Sequence, residues 1–198
     1  ATLAIRGMMR LKLLSSSRAI RLYPLVAHIH KELIVKNNKS KQYGAIAERL
    51  QQQLVLFVGD MAPYIHLHVD ASPSITMKDV CMSIIIPAAH HTSPRVRAAS
   101  FVALTNVPSE FWNHADMPED ISSILLEAST TDSESTVRSS AMKAYGARVQ
   151  YMDIIQVVRD VHAPLQAGLF DSVLAVRIPS AVILEAVSNR LWQSSMEH

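Results

Sequence analysis

Ser93-Pro94-Arg95-Val96-Arg97-Ala98-Ala99-Ser100-Phe101-Val102-Ala103-Leu104 recurs twice more in this chain. Val137-Arg138 is followed by Ala141 and Tyr145, and Val176-Arg177 by Ser180 and Leu184. In each copy Val-Arg precedes a small residue four places after the valine and a large one eight places after it. The valines stand 41 and 39 residues apart. Residues four and eight apart on a helix lie nearly above one another. Each copy therefore presents a stripe of valine, small and large, and the small residue lets a neighbouring helix come close. A period near 40 accommodates one helix pair per repeat. Such a pair cannot bury its apolar face alone and must stack on the next.

The sequence around the copies carries helix-start chemistry. Ser93-Pro94 reads as a cap followed by proline at the first helical position, where the missing N–H costs nothing. Thr131 with Glu134, and Asp171-Ser172, are the expected caps of the other two. Asp132 stands six residues before Arg138, and Asp171 six before Arg177.

This pattern resembles the HEAT repeat, a helix-pair unit whose second helix carries a Val-Arg-x-x-Ala core. The resemblance spans roughly residues 76–190. It implies a ladder along the stack in which the aspartate of one repeat pairs with the arginine of another, formed here by Asp132, Arg138, Asp171 and Arg177. The chain departs from the pattern in places. His91 stands where the first aspartate belongs, which implies an open rung there. Ser100 and Ser180 replace the small alanine, and Pro179 falls inside the third helix, where it should kink it.

Outward from the copies, the expected fold is all-α: a short α-solenoid of about four antiparallel helix pairs, about eight helices. The pairs are placed near 19–58, 75–107, 119–149 and 151–194, as one domain over 19–198 behind a basic arm at 1–18. The first pair lacks the Val-Arg core and reads as an atypical capping repeat. Gly59 to Ser74 reads as a long connection, broken by Gly59-Asp60, Pro63 and Pro73. Ser172 to Val187 is interrupted by Arg177 and Glu185, so it reads as the most buried helix of the stack rather than a membrane span.

Composition supports this class. Apolar residues make up 49% of the chain, enough for a continuous core, while five glycines and few aromatics speak against a many-turned β protein. A single cysteine, Cys81, excludes an internal disulfide framework and fits a reducing compartment and a small buried side chain. Charge is unevenly divided. Residues 1–50 carry ten Lys or Arg and two acids, a net of +8, whereas residues 51–198 carry nine and fifteen, a net of −6. Residues 1–18 contain Arg6, Arg10, Lys12, Arg18 and three consecutive serines, with no acid before Glu32. That is the composition of a mitochondrial targeting segment, of a basic arm kept to lie on a partner, or of a plain N-terminal helix with a solvated basic face.

Histidines raise the question of a metal. His28 and His30 on one helix point about 200° apart and cannot chelate one ion. His66-Leu67-His68-Val69-Asp70 is sharper, because alternate residues of an extended segment share a face. The string resembles the start of metallo-β-lactamase-type sites, but Ala71 follows where that family has another histidine. No His-Glu dipeptide, Gly-x-Ser-x-Gly or Gly-rich loop before a lysine occurs. Asp153 with Asp160, and Glu119 with Asp120, read as solvated carboxylates.

The expected function is a non-catalytic scaffold or accessory subunit of a large, mitochondrial assembly, with no cofactor, metal or small-molecule substrate. Arg6, Arg10, Lys12, Arg18 and Arg21, together with Phe111 and Trp112 on a loop, are the expected partner contacts. The partners are protein subunits, and an anionic lipid surface or RNA for the arm. Two alternatives remain open: an RNA-binding solenoid using the basic region with Tyr23 and Tyr43, and a metal-dependent enzyme built on His66, His68 and Asp70.

Overall fold

The computed structural model describes residues 20–37, 44–65, 76–112 and 121–196. Among them all regular structure is helical, so the all-α expectation is borne out. In chain order the elements are α1 (Tyr23–Asn37) and α2 (Gly44–Ile65), then α3 (Met77–Val80), a π-helical stretch (Cys81–Ile85) and α4 (Ile86–Ala89) in one unbroken run. They continue with α5 (Pro94–Leu104), α6 (Ser109–Trp112), α7 (Ile121–Thr131), α8 (Ser135–Val149), α9 (Ile154–Asp160), α10 (His162–Leu169) and α11 (Leu174–Met196).

The helices that carry the recurrent stretch form a row. α5 packs on α2 before it and α8 after it, and α8 packs on α11. Each row member also packs on the helix preceding it in sequence: α2 on α1, α5 on α4, α8 on α7 and α11 on α10. Val96, Val137 and Val176 are all completely buried, as are Ser100, Ala141 and Ser180 four places on. Val96 and Val137 belong to the main hydrophobic core cluster, whereas Val176 is buried outside it. Each buried valine is worth ~1.5–3 kcal/mol over an exposed one. The two serines satisfy their hydroxyls within their own helices, Ser100 on the Arg97 carbonyl and Ser180 on the Val176 carbonyl. The third position of the stripe divides the copies: Leu104 and Tyr145 are buried, whereas Leu184 is 42% exposed. The expectation that Ser172 to Val187 is the most buried helix is therefore corrected. α11 is the last described helix of the row, and no described helix covers its far side.

Several boundaries differ from the periodicity reading for identifiable reasons. α2 runs through Gly59, Asp60 and Pro63 to Ile65, although those residues read as a connection. Gly59 is there for packing: a Cβ on it would lie 2.6 Å from the Ala103 Cα, so only glycine admits α5 this close. The caps differ too. Ser93 makes no side-chain cap bond to its helix, and its hydroxyl donates to Glu48 Oε2 instead (3.1 Å). Thr131 bonds back to the Glu127 carbonyl, and Glu134 makes no side-chain cap bond.

Prolines within the described helices leave backbone carbonyls without their usual N–H partner, Pro63 that of Gly59 among them, and at three others the fold shows a response. Pro87 cannot donate to the Ser83 carbonyl, and the helix widens into a π turn just upstream, with Ile86 N–H bonded to the Cys81 carbonyl. Pro164 orphans the Asp160 carbonyl. The segment expected as one helix breaks there into α9 and α10, and the Tyr145 hydroxyl donates to that carbonyl at 2.7 Å. Pro179 orphans the Ala175 carbonyl inside α11, and Ser139 Oγ donates to it, also at 2.7 Å. Tyr145 and Ser139 both lie on α8. The gaps opened by two prolines thereby become hydrogen bonds that lock α8 to the elements following it.

Candidate interaction surface

The arginines of the repeated stretch act twice each. Arg97 Nη1 donates to the His91 and Thr92 carbonyls (3.0 and 2.9 Å), Arg138 Nη1 to those of Asp132 and Ser133 (2.8 and 3.1 Å), and Arg177 Nη1 to those of Asp171 and Ser172 (2.8 and 3.0 Å). This explains the six-residue spacing read from the sequence: the arginine holds the backbone of the turn that precedes its own helix. The rest of the guanidinium faces forward. Arg97 Nε and Nη2 grip both Asp132 oxygens (2.8 and 2.9 Å), and Arg138 Nε and Nη2 grip both Asp171 oxygens (2.6 and 3.0 Å). Each fork joins one copy to the next, and both pairs are largely shielded from water.

Electrostatics follow the geometry. Burial pushes the Asp132 carboxyl up, but the Arg97 fork, the Glu134 N–H and the Arg138 charge outweigh it and hold it below the usual range. The Arg138 fork, aided by the Val173 N–H, does the same for Asp171. The rung expected to be open at His91 is part-built. His91 Nδ1 accepts the Ser93 N–H (2.9 Å), the place taken by Asp132 with Glu134 N–H and by Asp171 with Val173 N–H. An imidazole thus does the turn-capping work of the missing carboxylate, and burial holds its pKa down. Beside this turn, between α4, α5 and α7, lies a cleft of about 310 Å³ lined by His90, His91, Arg97, Glu127 and Asp132 among others.

The last rung is unfilled. Among the described residues no carboxylate meets Arg177 Nε and Nη2, the atoms that grip aspartate in the other two copies. The surrounding face of α11 is apolar and exposed: Ile178 (56%), Leu184 (42%) and Trp192 (67%). An open groove of about 510 Å³ runs between α8 and α11, bordered by Lys143, Gly146, Gln150, Ile178, Val182 and Ala186.

Other candidate contacts are placed differently. Arg21 is exposed, whereas Arg6, Arg10, Lys12 and Arg18 lie outside the described residues. Trp112 is 7% exposed and Phe111 packs against the core, so these rings close the core edge rather than project as anchors. Tyr23, considered as a base-stacking ring, is buried, and its hydroxyl shares a 2.7 Å hydrogen bond with Ser83 Oγ. His66, His68 and Asp70 lie outside the described residues, as do Tyr43, Glu119 and Asp120. Among the described residues no three metal-ligating side chains come together, and no helix is long and apolar enough to cross a membrane. Asp153 caps α9 through the Gln156 N–H. The Cys81 thiol is buried and pushed up to about 12 by that burial, which keeps it protonated and a poor nucleophile.

Arg190 had no signal in the sequence reading. It reaches back from α11 to the Val149 and Met152 carbonyls, capping the C-terminal end of α8. A lone arginine outside the repeated stretch carries no periodic mark. No family model, curated protein or solved structure matches this chain.

Proposed function

We propose that this chain is a short α-solenoid of the HEAT type, acting as a non-catalytic scaffold or accessory subunit within a larger protein assembly. The observation that carries the reading is the pair of matched rungs, Arg97 with Asp132 and Arg138 with Asp171, which join successive copies by the same atoms. Consistent with such a stack, α2, α5, α8 and α11 pack in sequence and each also packs on the helix before it. Stacked hairpins present long continuous surfaces, and the apolar residues left exposed on α11 suit protein contact. We place the assembly in a mitochondrion on the acid-poor, Arg- and Ser-bearing composition of residues 1–18. Native purification under mild conditions, followed by mass measurement of the intact species, tests the proposal. Recovery inside a defined multi-subunit complex is expected; recovery solely as a free monomer would overturn it.

A further inference from the structure

The α11 positions in register with those by which α8 receives its successor stand exposed. Ser139 bonds the Ala175 carbonyl, and Tyr145 bonds the Asp160 carbonyl. Met142 reaches the α10 backbone, where its Cε would lie 2.6 Å from a Cβ on Gly168. All three α8 contacts thus point to the following hairpin. With the 39-residue offset that relates Val137 to Val176, the equivalent α11 positions are Ile178, Ala181 and Leu184, and all three are exposed. Arg177 completes the correspondence. Its Nη1 holds the preceding turn as in the other copies, while Nε and Nη2 find no carboxylate among the described residues.

Taking the solenoid reading as its basis, we infer that this face is a docking site for a helical hairpin of another protein, one that carries an aspartate at the turn before its second helix. The aspartate is required by the Arg177 fork, since Arg97 and Arg138 meet aspartates so placed (Asp132 before α8, Asp171 before α11). An apolar helix face is required by Ile178 and Leu184, which continue an interface that already exists twice within the chain. A second copy stacked head to tail does not fit. The sequence it would offer between α1 and α2 holds no acid: Asn38, Lys39, Ser40, Lys41, Gln42 and Tyr43.

The test uses the full chain in its native complex, with a photo-crosslinking amino acid at Ile178 or Leu184, compared with the same chain carrying Arg177→Gln. The expected adduct lies on a partner helix within about two turns of an aspartate, and its yield falls about tenfold with Arg177→Gln. Ile178→Asp is the second variant, because that side chain is exposed and its loss should leave the melting temperature unchanged. It should weaken the complex to a similar extent. A complex that forms normally but gives adducts only elsewhere, adducts to a second copy of this chain, or adducts insensitive to both variants would each overturn the inference while leaving the scaffold role standing. Absence of any complex would overturn both.

Discussion

Replacing Asp171 by alanine removes a whole rung. The carboxylate accepts two bonds from Arg138, at 2.6 and 3.0 Å, and one from the Val173 N–H at 2.8 Å. Counting the shielded fork as one charge-assisted interaction of ~2 kcal/mol and the turn cap as ~1 kcal/mol, the loss is about 3 kcal/mol. An asparagine in its place would still accept from Val173 and from one arginine N–H, but it lacks the charge, so Asp171→Asn should cost roughly half as much. For a chain of this length 3 kcal/mol corresponds to a fall of roughly 6–12 °C in melting temperature. Urea unfolding followed by circular dichroism at neutral pH measures the free-energy change directly. Titration gives an independent reading. The folded Asp171 carboxyl is held below its unfolded value, so its stabilisation is complete above pH ~4 and is lost as pH falls through the lower folded value. Asp171→Asn should flatten that acid limb. A loss below ~0.5 kcal/mol for Asp171→Ala, a size ordinary for surface substitutions, would refute the assignment of this rung as the link between successive copies.

Other outcomes follow from the same structure. Ser139→Ala and Tyr145→Phe each strip a hydroxyl from a carbonyl orphaned by proline, and each should lower stability by ~1–3 kcal/mol in urea unfolding. Restoring an N–H by Pro179→Ala should shrink the Ser139→Ala penalty, and a double-mutant cycle checks the coupling. Gly168→Ala drives a methyl toward Met142 Cε and the Ser180 hydroxyl, so a loss of ~1–3 kcal/mol is expected, measurable as a lower urea midpoint. His30 is buried with Nδ1 unpartnered, and burial holds its pKa down to about 4. The unfolded chain takes up that proton near pH 6.5, so stability should decline by roughly 3 kcal/mol between pH ~6.5 and ~4, and His30→Leu should remove that part of the slope.

The helical class, the buried valine and small residue of each copy, and three ladder residues, Asp132, Arg138 and Asp171, were legible from residue order alone, whereas Arg97 was not among the expected ladder residues and Arg177 meets no carboxylate among the described residues. A period of 41 then 39 with a 3.6-residue apolar rhythm leaves few other ways to bury the same side chains. What required the tertiary structure was partnership. The resemblance implied a ladder running from repeat to repeat; the structure supplies which residues meet, Arg97 with Asp132 and Arg138 with Asp171, and why they reach forward, since the Nη1 edge of each guanidinium is occupied by the turn carbonyls. The helical continuity through Gly59 and Pro63 was likewise hidden, since both residues score locally as breakers and only the close approach of α5 shows what the glycine does. Leu184 shows the limit most plainly. Its spacing in the stripe matches that of Leu104 and Tyr145, but burial depends on whether a neighbour arrives to cover it. Periodicity describes the face a helix offers, while the presence of a covering helix is a property of the assembled molecule.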